Sequence, residues 1–291
     1  MAGQIFKRFA RRADDDAAKK AALAALRQDA PRDITTQACL PRNLRCAAKI
    51  IAKAPFILCG IVEAGAIFSS RNVDVAWKFP EGQAVKKGQV ICSLSGKTSD
   101  MLASERTALN YLSLLSGVAS KCRKASKRYG RWKISATRKT LPGLSDSEKR
   151  AVLLGGCLTH RMSLADGILV KDNHISAICS GKKVARGRAV EIACGCFGHG
   201  RFVEVEVSSK EEALAAALCG ADALLVDNVT PLVLRKIAGV ARKASPKIII
   251  EASGGITLSN AGKYLAAGAD FVSTSELTMR IEHADLSLEI E

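Results

Sequence analysis

The chain has 291 residues, 48% of them hydrophobic and 25% charged, an ordinary globular mixture for about two domains of ~150 residues. That composition excludes collagen-like, coiled-coil and disordered architectures, and apolar runs such as Phe56 to Val62 reach seven residues where a membrane-spanning helix needs ~20. No apolar core follows Lys7, Arg8, Arg11 and Arg12, and Asp14 to Asp16 argue against a transit peptide, so the expected location is the cytoplasm. With 44 Lys and Arg against 28 Asp and Glu, the net charge of +16 calls for an anionic partner: nucleic acid, an acidic membrane surface or polyanionic small molecules.

The first 110 or so residues predict a helix over Ala17 to Gln28 and strands at Arg45 to Ala52, Phe56 to Ile61, Val73 to Phe79 and Gln89 to Leu94. Turns fall at Glu81-Gly82 and Lys87-Gly88. We read residues 1–112 as an α+β sandwich domain on which the tail, 278–291, packs back. FPEGQAVKKGQVICSLSG resembles a lipoyl-carrier hairpin, but it lacks the lysine-bearing tip and predicts only a hairpin of that geometry. The basic run Lys121 to Arg131 reads as a solvated helix face, since only Tyr129 and Trp132 interleave aromatics as RNA stacking would need. Ten cysteines are too sparse for a disulfide scaffold, and Cys59, Cys92 and Cys219 sit in apolar runs as small core residues. Cys194-Gly-Cys196 with His199 lacks a second ligand pair at zinc spacing.

From Trp132 onward the rhythm changes. Short β-rich runs at Trp132 to Ala136, Gly167 to Val170, Phe202 to Val207, Ala223 to Val226, Lys247 to Glu251 and Asp270 to Ser273 alternate with helical patterns. These include Asp146 to Gly155, KEEALAAALCG and TLSNAGKYLAAG. Gly220 and Gly268 suit helix C-caps, and Thr257 or Ser259 could start the last helix. Six such units over 113–277 predict a closed or nearly closed β/α barrel, with a doubly wound open sheet as the alternative.

Barrel chemistry collects where strands end, so the residues after each strand are the candidates. They are Thr137-Arg138-Lys139, Lys171, Glu206, Asp227 and Ser253-Gly254-Gly255, with His160-Arg161 between two strands. Cations, two carboxylates and a glycine turn on one rim describe a site for an anion carrying a metal. The glycine turn precedes a helix, whose positive end would help its backbone amides cradle a phosphate.

ERTALNYLSLLSG, TRKTLPG, HRMSLADGILVKDNHI, EVEV, LLVDN and EASGGIT come in the order found in quinolinate phosphoribosyltransferases, and over about Arg32 to Thr278 the chain resembles that family. The resemblance implies an N-terminal α+β sandwich, an incomplete β/α barrel and a homodimer with shared active sites. It also implies transfer of phosphoribose from 5-phosphoribosyl 1-diphosphate to quinolinate, with Mg2+, giving nicotinate mononucleotide, diphosphate and CO2. By motif, Arg106 would reach from the partner subunit, and Arg138, Lys139, His160, Arg161 and Lys171 would hold the anionic substrates, with Thr137 beside them. Glu206 and Asp227 would serve the ribose and metal. Ser253, Gly254, Gly255 and the last strand's Thr274, Ser275 and Glu276 would bind the 5'-phosphate. Ala136, Leu141 and Ser208 depart from the family pattern mildly; Ser275-Glu276 stands where a Gly-Ala pair is usual, and Glu276 is expected at a helix start, facing solvent. A same-fold protein acting on another base, or inactive, and a basic RNA-binding protein are the alternatives.

Overall fold

The computed structural model describes residues 13–196 and 202–291. Lys7, Arg8, Arg11, Arg12 and His199 lie outside the described residues. The chain forms two compact units.

The first unit takes in residues 13–124, 139–157 and 277–291. Its opening helix, Asp15–Asp29, starts where the Asp14 side chain accepts the Asp16 and Ala17 amides, a cap that contributes about 1 kcal/mol. Ala18, Ala22 and Leu26 recur four residues apart and bury one face. Strands follow as β1 (Arg45–Ala52), β2 (Phe56–Ile57), β3 (Asp74–Trp77), β4 (Ala84–Val85) and β5 (Val90–Lys97). The C-terminal strand Leu286–Ile290 pairs antiparallel with β1, giving a sheet ordered C-terminal strand, β1, β5, β3. β2 and β4 pair separately, and Gly82 and Gly88, at φ +81° and +83°, turn the chain on either side of β4; the expected hairpin pairs β3 with β5 across this loop.

The strand expected over Phe56 to Ile61 is overturned after Ile57. Gly60 turns the chain at φ +102°, and a helix runs over Ile61–Ser70. Glu81 Oε1 accepts the amides of both Gly60 and Ile61 at 2.8 Å, satisfying the first donors of that helix. A short apolar run has no period of its own, so Ala64, Ile67 and Phe68 could serve a buried helix face as readily as a strand.

The 32-residue helix Thr98–Tyr129 leads from the first unit into the second. Its last turns carry the basic run: Cys122 and Ala125 are buried while Lys124, Lys127 and Arg128 are exposed, so the run is one solvated face. Helix Ser145–Gly155 approaches so closely that a Cβ on Gly155 would lie 2.2 Å from the Cβ of Cys122.

The second unit is a six-stranded parallel sheet of β6 (Ile134–Ser135), β7 (Ile168–Val170), β8 (Val203–Val207), β9 (Ala223–Asp227), β10 (Ile249–Ser253) and β11 (Phe271–Ser273). The order is β6, β11, β10, β9, β8, β7, and Leu158 bridges to Ser135 beyond β6. Among the described residues nothing joins Leu158 to β7, so the barrel is incomplete. Helices cross between the strands, including Asp172–Lys182 and Arg186–Gly195, which no sequence pattern resolved. Gly220 and Gly268 follow helices at φ +83° and +112°, as expected of C-caps. Cys219 is exposed rather than in the core, because it is the C-cap of Lys210–Leu218, where the chain leaves the helix's buried face.

Register sets the layers of this unit. Glu204 pairs with Ala223 and Ala223 with Ile249, while Glu206 pairs with Leu225 and Leu225 with Glu251. Side chains two apart share a face, so the face that holds the apolar cluster of Leu158, Ala223, Ile249 and Phe271 also carries Glu204, Glu206, Leu225, Asp227, Glu251 and Ser253. Going toward the strand ends, it passes from apolar residues through two buried carboxylates to a polar rim.

Candidate active site

The rim sits at the C-terminal ends of the parallel strands. Glu206 and Asp227 end neighbouring strands β8 and β9, both half-buried. Burial, and then the charge of Asp227, pushes the Glu206 carboxyl up, while Lys171 pulls it down. Two carboxylates that repel each other and face a lysine form a natural seat for a cation or for sugar hydroxyls. Lys171 ends β7 and is exposed; its backbone amide donates to His174 Nδ1 at 2.8 Å, which fixes the start of helix Asp172–Lys182.

Arg138 is exposed just past β6, after half-buried Thr137 and Ala136, whose amide donates to Leu158 O. Arg161 is buried, with Nη1 donating to Gly167 O at 3.1 Å. Burial and the nearby Arg138 charge both push the Arg161 guanidinium's pKa down. Two guanidiniums held within range of each other offer paired donor forks to a planar dicarboxylate.

The glycine turn has a steric reason for its glycine. Gly254 lies at φ +80°, and a Cβ there would come within 2.4 Å of the Asn228 amide nitrogen. Asn228 in turn donates its amide to Ser253 O and its side chain to Asp227 Oδ2, so the turn and the carboxylate are one assembly. The helix expected directly after the turn starts only at Ala261 and has six residues. The turn is therefore not at a helix end; its amides are presented by the loop itself, with Gly254 and Gly255 at φ +80° and +61°. Thr257, expected as a cap, accepts the Asn260 amide on its hydroxyl and the Ala261 amide on its carbonyl, the bonds a capping residue makes, in the turn that leads into that helix.

Buried Thr274 reaches the same loop: its hydroxyl donates to Ile256 O at 2.6 Å and accepts the Glu276 amide at 3.2 Å. Glu276 begins the short helix Glu276–Met279, as expected, but its carboxylate does not face solvent. Oε2 accepts the Leu258 amide at 2.7 Å, and Ser275 beside it is half-buried.

Beneath the rim lies a cluster with no expected role for its carboxylates. His160 Nε2 lies 2.9 Å from Glu204 Oε2 and 3.4 Å from Glu251 Oε2. All three residues are buried, Glu251 completely. His160 Nδ1 accepts the Arg161 amide at 2.8 Å, and His160 itself sits in the left-handed region at φ +52°. Burial opposes charge on the ring, yet the carboxylates of Glu251 and Glu204 together raise its pKa. Burial and Glu251 raise that of Glu204. Sequence reading gave Glu204 and Glu251 no role, although each stands two residues before a rim residue on its strand and Glu251 lies at its expected strand's end.

Arg106 and Lys139 belong to the first unit. Arg106 is exposed on helix Thr98–Tyr129, and Lys139 is exposed with its carbonyl accepting the Thr278 hydroxyl at 2.7 Å. Leu141 is partly exposed, and the Ser208 amide donates to Glu212 Oε2, in the capping box that starts helix Lys210–Leu218.

The chain matches the family models for the quinolinate phosphoribosyl transferase N-terminal domain over residues 33–116 and C-terminal domain over residues 117–289. It is 37% identical to the carboxylating nicotinate-nucleotide pyrophosphorylase of Homo sapiens over 247 residues, 84% of this chain and 82% of that protein. Against its counterpart from Rattus norvegicus it is 36% identical over 247 residues, 84% and 81% of the two chains. The structure of the nicotinate-nucleotide pyrophosphorylase from Francisella tularensis superposes with a TM-score of 0.84 at 30% identity, over 97% of this chain and 99% of that one.

Proposed function

Because this chain belongs to the quinolinate phosphoribosyltransferase family, we propose that it transfers phosphoribose from 5-phosphoribosyl 1-diphosphate to quinolinate with loss of CO2, forming nicotinate mononucleotide for NAD biosynthesis. The observation that carries this reading is the pairing, on one rim, of two neighbouring guanidiniums with two neighbouring carboxylates. Arg138 and Arg161 suit the two carboxylates of quinolinate, and Lys139 and Lys171 add point charges for the diphosphate. His160 completes the motif beside Arg161.

As the anomeric bond breaks, positive charge grows on the sugar, and Glu206 and Asp227 stabilise it as it develops. The same two carboxylates, repelling each other and half-buried, fit a hard cation with oxygen ligands, so they and the substrate diphosphate would hold Mg2+. The ion would neutralise charge on the departing diphosphate. Ser253, Gly254 and Gly255, braced by Thr274 and Glu276 next to Ser275, would hold the 5'-phosphate. Loss of CO2 leaves negative charge beside a cationic ring nitrogen, which a lysine ammonium further stabilises. No side chain needs to act as a covalent nucleophile.

The proposal includes a homodimer in which exposed Arg106 serves the neighbouring subunit's site, and work in the cytoplasm. None of the described helices is long and apolar enough to cross a membrane. Release of CO2 from quinolinate, dependent on both 5-phosphoribosyl 1-diphosphate and Mg2+, tests the reading. Nicotinate mononucleotide should appear in step with the CO2, and a purified, folded protein that releases none would overturn it.

A further inference from the structure

A buried carboxylate without a hydrogen-bond donor is costly, on the order of several kcal/mol. Glu251 is in that position: it is fully buried, and neither carboxylate oxygen has a hydrogen-bond partner; its nearest cation-forming group is His160 Nε2 at 3.4 Å. Nε2 is closer to Glu204, at 2.9 Å, so the ring's proton on that nitrogen serves Glu204 first.

The tautomer of His160 follows from Arg161. Its backbone N–H points at His160 Nδ1 at 2.8 Å, and only a nitrogen with a lone pair can accept it. An imidazolium would set N–H against N–H. The ring is therefore neutral, with its hydrogen on Nε2 and no lone pair there for a metal ion, although the three ligand atoms lie within 4.8 Å of one another. Glu204 accepts from Nε2–H, and Glu251 lies on the same nitrogen at 3.4 Å.

We propose that Glu204 and Glu251 are positioning residues that lock His160 as the Nε2–H tautomer, so that its Nδ1 fixes the backbone of Arg161. The left-handed backbone of His160, unfavourable for a non-glycine residue, persists because both ring nitrogens are engaged. The brace runs from β10 and β8 through the ring to the residue that would grip quinolinate. His160 itself acts through Arg161 rather than as a cation on the substrate. The two carboxylates favour charge on the ring, but the Arg161 amide at Nδ1 opposes the second N–H that an imidazolium would carry.

The consequence for quinolinate rests on the functional reading above; the tautomer does not. In the ligand-free full-length protein with 15N-labelled histidine, the His160 ring signals, assigned by their loss in His160→Gln, should show a neutral ring protonated on Nε2 near pH 7. An imidazolium, or a proton on Nδ1, overturns the proposal whatever the enzyme's substrate. In kinetics, Glu204→Ala and Glu251→Gln should raise KM for quinolinate about tenfold, the scale of one charge-assisted hydrogen bond, with kcat changed less than about threefold. Glu204→Gln keeps a carbonyl to accept from Nε2–H and should recover most of the affinity lost in Glu204→Ala. Equal KM in Glu204→Ala and wild type, or no recovery in Glu204→Gln, counts against the brace. Should Glu251→Gln not fold, the tautomer and the Glu204 pair decide. Absence of turnover in the wild type would sink the functional reading and leave the tautomer measurement standing.

Discussion

Glu276 holds the Leu258 amide at 2.7 Å, tying the last strand's end to the loop that follows the Ser253 to Gly255 turn. Thr274 makes a second tie two residues along the loop, at Ile256. A carboxylate at this place could oppose a bound phosphate, or sit in solvent and do little; instead its charge is spent on a backbone donor. One such bond is worth about 1 kcal/mol net. Glu276→Ala should therefore weaken 5-phosphoribosyl 1-diphosphate binding about fivefold, measured by calorimetry at several salt concentrations. A gain in affinity that fades with added salt would instead mean an inward charge facing the phosphate.

The rim of cations makes a sharper prediction. Arg138→Ala or Lys139→Ala should lower kcat/KM about 100-fold or more, the loss seen when a preorganised electrostatic donor is removed. Both side chains are exposed, so thermal stability should stay near wild type. Kinetics within threefold of wild type in both variants would remove these residues from the site.

Subunit sharing is tested by mixing. Arg106→Ala and Lys171→Ala chains, each inactive alone, should regain activity together, because one of the two sites in every mixed dimer receives both intact residues. In a random mixture about a quarter of all sites are then whole. If activity stays absent after subunit exchange is verified by mass, Arg106 does not serve the neighbouring site.

The strands of the β/α unit were legible because each couples a β-rich run to an alanine-rich helix and a polar end. Glu206, Asp227 and the Gly254 turn could be placed from that pattern alone. The helix Ile61–Ser70 was not, since Phe56 to Val62 reads equally as a strand, and the arbiter is Glu81, twenty residues away, capping the helix start. Glu204 and Glu251 were hidden for a related reason. A glutamate inside an apolar strand carries no local sign of whether it faces solvent or a buried histidine, and only register brings β8, β10 and His160 together. The contact of Glu276 with Leu258 likewise joins positions 18 apart that no periodicity links.

Glu148 offers a test of how the segment carrying Lys139 is held. It is fully buried in the first turn of helix Ser145–Gly155; Oε2 accepts the Leu141 amide at 3.2 Å, and Oε1 has no hydrogen-bond partner. Burial pushes this carboxyl from 4.5 up to about 7, against the Leu141 bond that pulls it down. The folded protein thus holds the proton more tightly than the unfolded chain does. The stability this contributes is complete below the unfolded value and is lost as pH rises through about 7. Glu148→Gln keeps a carbonyl for the Leu141 amide and has no proton to lose. Wild type and variant should therefore melt together at pH ~4 and separate by pH ~8, the variant being more stable by about 1–3 kcal/mol, or roughly 2–4 °C for each kcal/mol. Scanning calorimetry of both proteins across that range reads the difference directly, and other titrating groups cancel in the comparison. Melting curves that stay parallel across that range would show that Glu148 ionises as freely in the fold as in the unfolded chain. Separation would show that the fold favours the acid form of Glu148 where it holds the Leu141 amide.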